Sequence, residues 1–156
     1  MRVAELMSAP PVTVPPTASV RDAARRMAAA EVGCVLVADR EALRGVLTDR
    51  DLAVRWLAAD ADPDPTVPVA AVMSSPAVTV GAEEDLSAAY RAFRRTGVRR
   101  LPVVDGTRPV GVLAIDDLFL DVLQHLADLL GPVSWSALRE GPAGPGRTGS
   151  TPPTAP

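Results

Sequence analysis

The chain has 156 residues, 47% of them hydrophobic but only 3% aromatic, so it can bury one compact core or two small ones, and that core must be aliphatic. Sixteen basic residues, all Arg, stand against 19 acidic ones for a net charge of −3, a balance that argues against a nucleic-acid surface yet allows local Arg clusters to hold anions. One Cys and one His exclude an intrachain disulfide and the usual zinc spacings, and neither a Gly-rich phosphate loop nor a Gly-x-Ser-x-Gly elbow occurs. No apolar run reaches bilayer-spanning length and no signal-like segment opens the chain, so a cytoplasmic protein with no membrane partner is expected.

In chain order, residues 3–8 form a short apolar segment ending in Met7-Ser8, followed by Pro10 and the extended Val12-Thr13-Val14. Ser19 with Asp22 reads as a capping box opening a helix, with Val20, Ala23, Ala24 and Met27 at helical spacing on its core face. A strand over 34–38 ends at Asp39, a turn occupies 39–43, and the strand Gly45-Val46-Leu47 runs into Thr48-Asp49-Arg50-Asp51, where a second helix starts and continues to about residue 59. A polar, Pro-containing linker spans 61–68.

The same succession then returns. Residues 3–58 align without a gap on 69–124, with 19 of 56 positions identical. Met73-Ser74 repeats Met7-Ser8, and Val78-Thr79-Val80 repeats Val12 to Val14. Asp85 is the expected cap of a helix with Leu86, Ala89, Tyr90 and Phe93 on its apolar stripe. A strand over 101–104 follows, and Gly111-Val112-Leu113 leads into a last helix from 116 to about 130. Leu118, Val122, Leu126, Leu129 and Leu130 share one side of that helix, an apolar face to be covered. From 131 the composition shifts to Pro, Gly, Ser and Thr, and residues 141–156 are expected to be disordered, with Trp135 and Leu138 available to dock the start of the tail. The expected organisation is a repeat at 1–60, the linker, a second repeat at 69–130 and a flexible tail at 131–156.

Paired units of Met-Ser-x-Pro-x-x-Val, an amphipathic helix, a strand of the type Arg-Arg-Leu-Pro-Val-Val-Asp and then Gly-Val-Leu-Thr-x-x-Asp-Leu resemble a tandem CBS-domain pair, or Bateman module. The resemblance covers residues 3–130 and is most specific in Gly-Val-Leu-Thr-Asp-Arg-Asp-Leu, which is similar to small bacterial proteins made of little beyond such a pair. It implies an α/β (α+β) fold of two β–α repeats packed with pseudo-twofold symmetry. It also implies two clefts that take an adenosine compound such as AMP, ATP or S-adenosylmethionine, a homodimer, and a regulatory rather than catalytic role toward a protein partner.

The resemblance also assigns residues. Thr48 and Asp51 would line a ribose and phosphate site, the carboxylate accepting from two ribose hydroxyls and the free N–H groups of the helix start favouring phosphate. Thr-x-x-Asp is equally a capping box that starts a helix with no ligand at all. Arg99 and Arg100 would reach phosphate from the second repeat; a solvated cluster with Arg91, Arg94 and Arg95 is the alternative. Val46, Val78 and Thr79 would flank the base. The second cleft would have Asp117, Val12 and Thr13 but face Gly33 and Cys34, with Ala114 where the first repeat has Thr48, so it is expected to be empty or to take an uncharged nucleoside. Cys34 reads as a small buried residue and His125 as a helix-surface residue. No nucleophile–base pair or metal cluster stands out, so an enzyme is not expected; a ligand-free structural or dimerisation module that regulates a partner is the competing reading.

Overall fold

The structure is a computed structural model that describes residues 1–139, with side chains through Gly131. Each repeat builds the same set of elements. In the first, a 3₁₀ turn at Val3–Glu5 precedes β1 (Thr13–Val14), α1 (Val20–Ala30), β2 (Cys34–Asp39), β3 (Ala42–Thr48) and α2 (Asp49–Asp51), whose helix widens into a π turn at Leu52–Leu57. In the second, a 3₁₀ turn at Val69–Ala71 precedes β4 (Val80–Gly81), α3 (Leu86–Thr96), β5 (Arg100–Asp105), β6 (Arg108–Ala114) and α4 (Ile115–Arg139).

The two sheets have identical topology and register. β1 pairs parallel with β2 and β2 antiparallel with β3; β4, β5 and β6 repeat this. Cys34 opposes Thr48 as Arg100 opposes Ala114, and the register slips after Val37 as it does after Val103. Tight hairpins close both antiparallel pairs. In the first, Arg40 and Glu41 adopt left-handed φ values of 47° and 66°, while the second places Gly106 at φ 62°.

Local sequence chemistry sets the helix ends. Ser19 Oγ accepts from Asp22 N at 3.0 Å, the forward half of the expected capping box; Asp85 caps α3 by accepting from Ser87 N at 2.9 Å. The α1 stripe Val20, Ala23 and Met27 is buried. On α3, Leu86 packs partly buried against the core and Ala89, Ala92 and Phe93 are buried within it, whereas Tyr90 is 41% exposed, contrary to its expected place on the stripe. Its phenol turns to solvent while Ala92 packs inward.

The packed bodies do not follow the sequence repeats, because the repeats exchange their opening segments. Val3 is fully buried in a cluster with Val80, Phe93, Leu101 and Leu113, whereas Val69 is fully buried with Val14, Val20, Val35 and Leu47. Backbone bonds hold the exchange: Val3 N donates to Glu84 O, Ser8 and Val112 exchange a pair, and Ser74 and Val46 do the same. The Met-Ser motif of each repeat thus docks on the Gly-Val-Leu strand of the other.

Met1–Phe119 accordingly form one compact unit, with a second beginning at Leu120, and no body boundary falls between the repeats. The segment 61–68, expected as a linker, is tied down: Trp56 Nε1 donates to Asp64 O at 2.8 Å, and Val20 N to Val67 O at 2.8 Å. The expected tail from 131 also needs correction. α4 continues through Gly131 to Arg139, because a single Gly and a Pro weaken a helix without obliging it to stop and no further breaker follows until Gly141. The side chains of Trp135 and Leu138, and the segment 141–156, lie outside the described residues.

Candidate functional site

The exchange creates two clefts at the ends of β3 and β6. The first, of about 510 Å³, lies within the 300–1,000 Å³ that small-molecule sites usually occupy. Thr48, Asp51 and Val46 line it from the first repeat, and Val78, Arg99 and Arg100 from the second. Thr79, expected beside Val78, does not line it; strand alternation sends its side chain to solvent while Val80 turns into the core.

Thr48 and Asp51 form a complete reciprocal capping box. Asp51 N donates to Thr48 Oγ1 at 3.1 Å, and Thr48 N donates to Asp51 Oδ2 at 2.9 Å. Asp49 N donates to Gly33 O at 3.0 Å and Arg50 N to Asp49 Oδ1 at 2.8 Å. All four amides at this helix start are therefore engaged, which corrects the expectation that free N–H groups there would hold a phosphate. The capping does not exhaust Asp51. An ionised carboxylate has about four acceptor positions, and among the described residues it meets, besides Thr48 N, only the Arg55 guanidinium, at 3.6 Å. Arg55 also donates to Met73 O at 3.3 Å, tying the carboxylate to the docked Met-Ser segment.

Positive charge in the first cleft comes from guanidinium groups. Arg50, Arg99 and Arg100 all line it, and none of these side chains has a hydrogen-bond or ion-pair partner among the described residues. Asp49, Arg50 and Arg55 were not singled out as site residues from sequence. Asp51 and Arg55 at i and i+4 carried a readable signal for the last; the position of Asp49 and Arg50 depends on how the chain leaves β3.

The second cleft is smaller, about 240 Å³, and is lined by Val12 and Asp117 as expected. Thr13 is not part of it: its carbonyl accepts from Arg26 Nη1 at 2.9 Å, and it borders a separate surface depression. The cleft also differs from expectation in containing a cation, since Arg100 lines it together with Cys34, Glu31 and Gly33. Gly33 has no side chain to hold the Arg100 guanidinium away. Cys34 is buried, and burial pushes its thiol pKa up; nearby Arg100 opposes this and Asp49 adds to it. His125 is an exposed residue of α4, its Nδ1 lying 2.8 Å from Asp121 O.

Two interlocked β–α units, each with a cleft at the end of its Gly-Val-Leu strand, define a tandem module. The model of the CBS domain matches residues 3–56 and 69–123, and the chain belongs to that family, whose members are generally regulatory rather than catalytic. It is 33% identical over 123 residues to the CBS domain-containing protein YhcV of Bacillus subtilis, spanning 79% of this chain and 86% of that one. The CBS domain protein PAE2072 from Pyrobaculum aerophilum, solved in complex with AMP, superposes with a TM-score of 0.72 at 31% identity, over 82% of this chain and 99% of that one. Hypoxic Response Protein I, solved with two coordinated zinc ions, gives a TM-score of 0.68 at 27% identity over 76% of this chain and 96% of that one. Among the described residues of the present chain no cluster of His, Cys, Asp or Glu could hold a metal, and no helix is long and apolar enough to cross a membrane.

Proposed function

We propose that the chain is a cytoplasmic ligand-sensing module that binds an adenine nucleotide or adenosine derivative, of the AMP, ATP or S-adenosylmethionine class, in the first cleft. The observation that carries this reading is the convergence of Arg99 and Arg100, unpartnered among the described residues, on a cleft that also offers a carboxylate with open acceptor positions. Asp51 would take the ribose hydroxyls, the guanidinium forks an anionic group, and Val46 and Val78 the faces of the base. The AMP complex of PAE2072 supports the ligand class. Ligand binding would bias one conformation or association state of a partner protein over another.

The complete capping box favours a second reading, a structural or dimerisation module that keeps the fold without a ligand, since Thr48 and Asp51 already have a purpose in starting the helix. Thermal unfolding with AMP, ADP, ATP, NADH and S-adenosylmethionine separates the two. A ligand specific for the folded state adds about 2.7 kcal/mol at a hundred times its dissociation constant, whereas the structural module shows no shift with any of them.

Either reading includes a homodimer. On α4, Leu123, Leu126 and Leu130 are 44%, 48% and 58% exposed at spacings of three and four, an apolar stripe that a second copy of the chain would cover. Light scattering at micromolar concentration should give twice the chain mass; a monomer would contradict it.

A further inference from the structure

Arg100 borders both clefts. Its guanidinium lies against Gly33: a Cβ placed on Gly33 would be 2.6 Å from Arg100 Nη2, 2.9 Å from Cζ and 3.1 Å from Asp49 Oδ2. Among the described residues this guanidinium has no hydrogen-bond or ion-pair partner, so no bond of its own ties it to one cleft, although the Asp49 carboxylate lies close by. The clefts need it unequally. The first also has Arg50 and Arg99 beside Asp49 and Asp51, whereas Arg100 is, among the described residues, the one cation lining the second, where Glu31 and Asp117 supply two carboxylates.

We propose that Arg100 couples the two clefts, so that phosphate-bearing ligands occupy them one at a time. The proposal rests on the reading that the first cleft takes a nucleotide. A guanidinium offers its fork to one phosphate in one place. When a phosphate in the first cleft draws Arg100 over, the second is left with two acids and no cation and repels an anion. When the first is unoccupied, Arg100 is free to turn to the second. The coupling is reciprocal, as any binding linkage must be.

Gly33 makes the coupling testable, because it lines the second cleft and not the first. Gly33→Ala puts a methyl group where the guanidinium lies and bars it from the second cleft. Its φ is not in the left-handed region, and the atoms it meets are ends of flexible side chains, so the fold should accept the change. The experiment is calorimetric titration of the full chain with AMP. Wild type should bind one AMP per chain, and Gly33→Ala alone should stay within threefold of it. Asp51→Ala disables the first cleft and releases Arg100, leaving one weaker site; adding Gly33→Ala in that background should weaken it at least a further tenfold. Two equal AMP sites on wild type, or the same effect of Gly33→Ala in both backgrounds, overturns the coupling while leaving the first-cleft reading in place. No AMP binding to wild type overturns both.

Discussion

Met73 lies across Gly45 with its Sδ 2.7 Å from where a Cβ on that glycine would stand, and Ser74 O is also 2.7 Å from that point. Met7 and Ser8 approach Gly111 in the same way, at 2.5 and 2.9 Å. The Gly of each Gly-Val-Leu strand is thus the landing place for the Met-Ser of the other repeat. One of the obstructing atoms is backbone held in a bridge to Val46, so it cannot give way cheaply. Gly45→Ala should therefore destabilise the fold by about 1–3 kcal/mol. Gly131, inside α4 with nothing among the described residues within 4 Å of its Cβ position, is the control: Gly131→Ala should instead stabilise by roughly 0.5–1 kcal/mol. Urea unfolding checks both signs.

The exchange of opening segments makes the N-terminus structural. Val3 is fully buried among second-repeat residues, and its N–H bonds Glu84 O. Val3→Ala should cost about 1–3 kcal/mol through the cavity it leaves. Deleting residues 1–8 should expose the second repeat's core and open the Ser8–Val112 bridge. Amide hydrogen exchange in β5 and β6 should then rise far more than in β2 and β3; equal protection in both sheets would contradict the exchange.

The capping box and the ligand site share Thr48 and Asp51, so stability and binding must be read together. Thr48→Ala should lower stability by about 0.5–2 kcal/mol, as the loss of a helix cap does. Asp51→Ala should show a similar loss and also abolish nucleotide binding in the first cleft by removing the ribose acceptor, leaving only the weaker binding of the second. Titration below the melting range of each variant separates the two effects. Unchanged AMP affinity in Asp51→Ala would leave Asp51 with the capping role alone.

The repeated Met-Ser, Val-Thr-Val and Gly-Val-Leu strings made the order of elements legible in the sequence, since each is a local pattern of β-branched, apolar and turn residues. The exchange was not, because Val3 and Val69 are equivalent positions in an alignment and only packing shows which core each enters. The β2–β3 hairpin was legible as a turn but not in its conformation: Arg40 and Glu41 lack the Gly or Asn that normally marks left-handed backbone. In the site, Thr48, Asp51 and the two Arg residues carried a pattern. The reach of Arg100 into the second cleft did not, because it depends on the missing side chain of Gly33 across the repeats.

Cys34 should respond to alkaline pH. Burial raises its thiol above the ordinary value of 9.0. A group whose folded pKa is raised contributes stability that is whole below the unfolded value and lost as pH rises through the folded one, because the unfolded chain ionises first. The stability advantage of wild type over Cys34→Ala should therefore narrow above about pH 9, and a disulfide reagent at pH 8 should label the thiol far faster in urea than in buffer. A constant advantage from pH 8 to pH 10.5 would contradict it.

The two clefts should discriminate charge differently from shape. Arg99 lines the first cleft and not the second, and its guanidinium meets no acid among the described residues. AMP presents an anion there and adenosine does not. Hydrogen bonds to charged groups are worth about 1.5–3 kcal/mol, so Arg99→Ala should weaken AMP roughly tenfold to a hundredfold and change adenosine about twofold at most. Removing Arg100 as well should widen the gap further, since both forks are lost. Asp117→Ala should leave AMP affinity unchanged, because Asp117 lines only the smaller cleft of the two. Calorimetry with both ligands decides the matter: equal losses for AMP and adenosine in Arg99→Ala would mean that the guanidinium shapes the cleft rather than holding a phosphate.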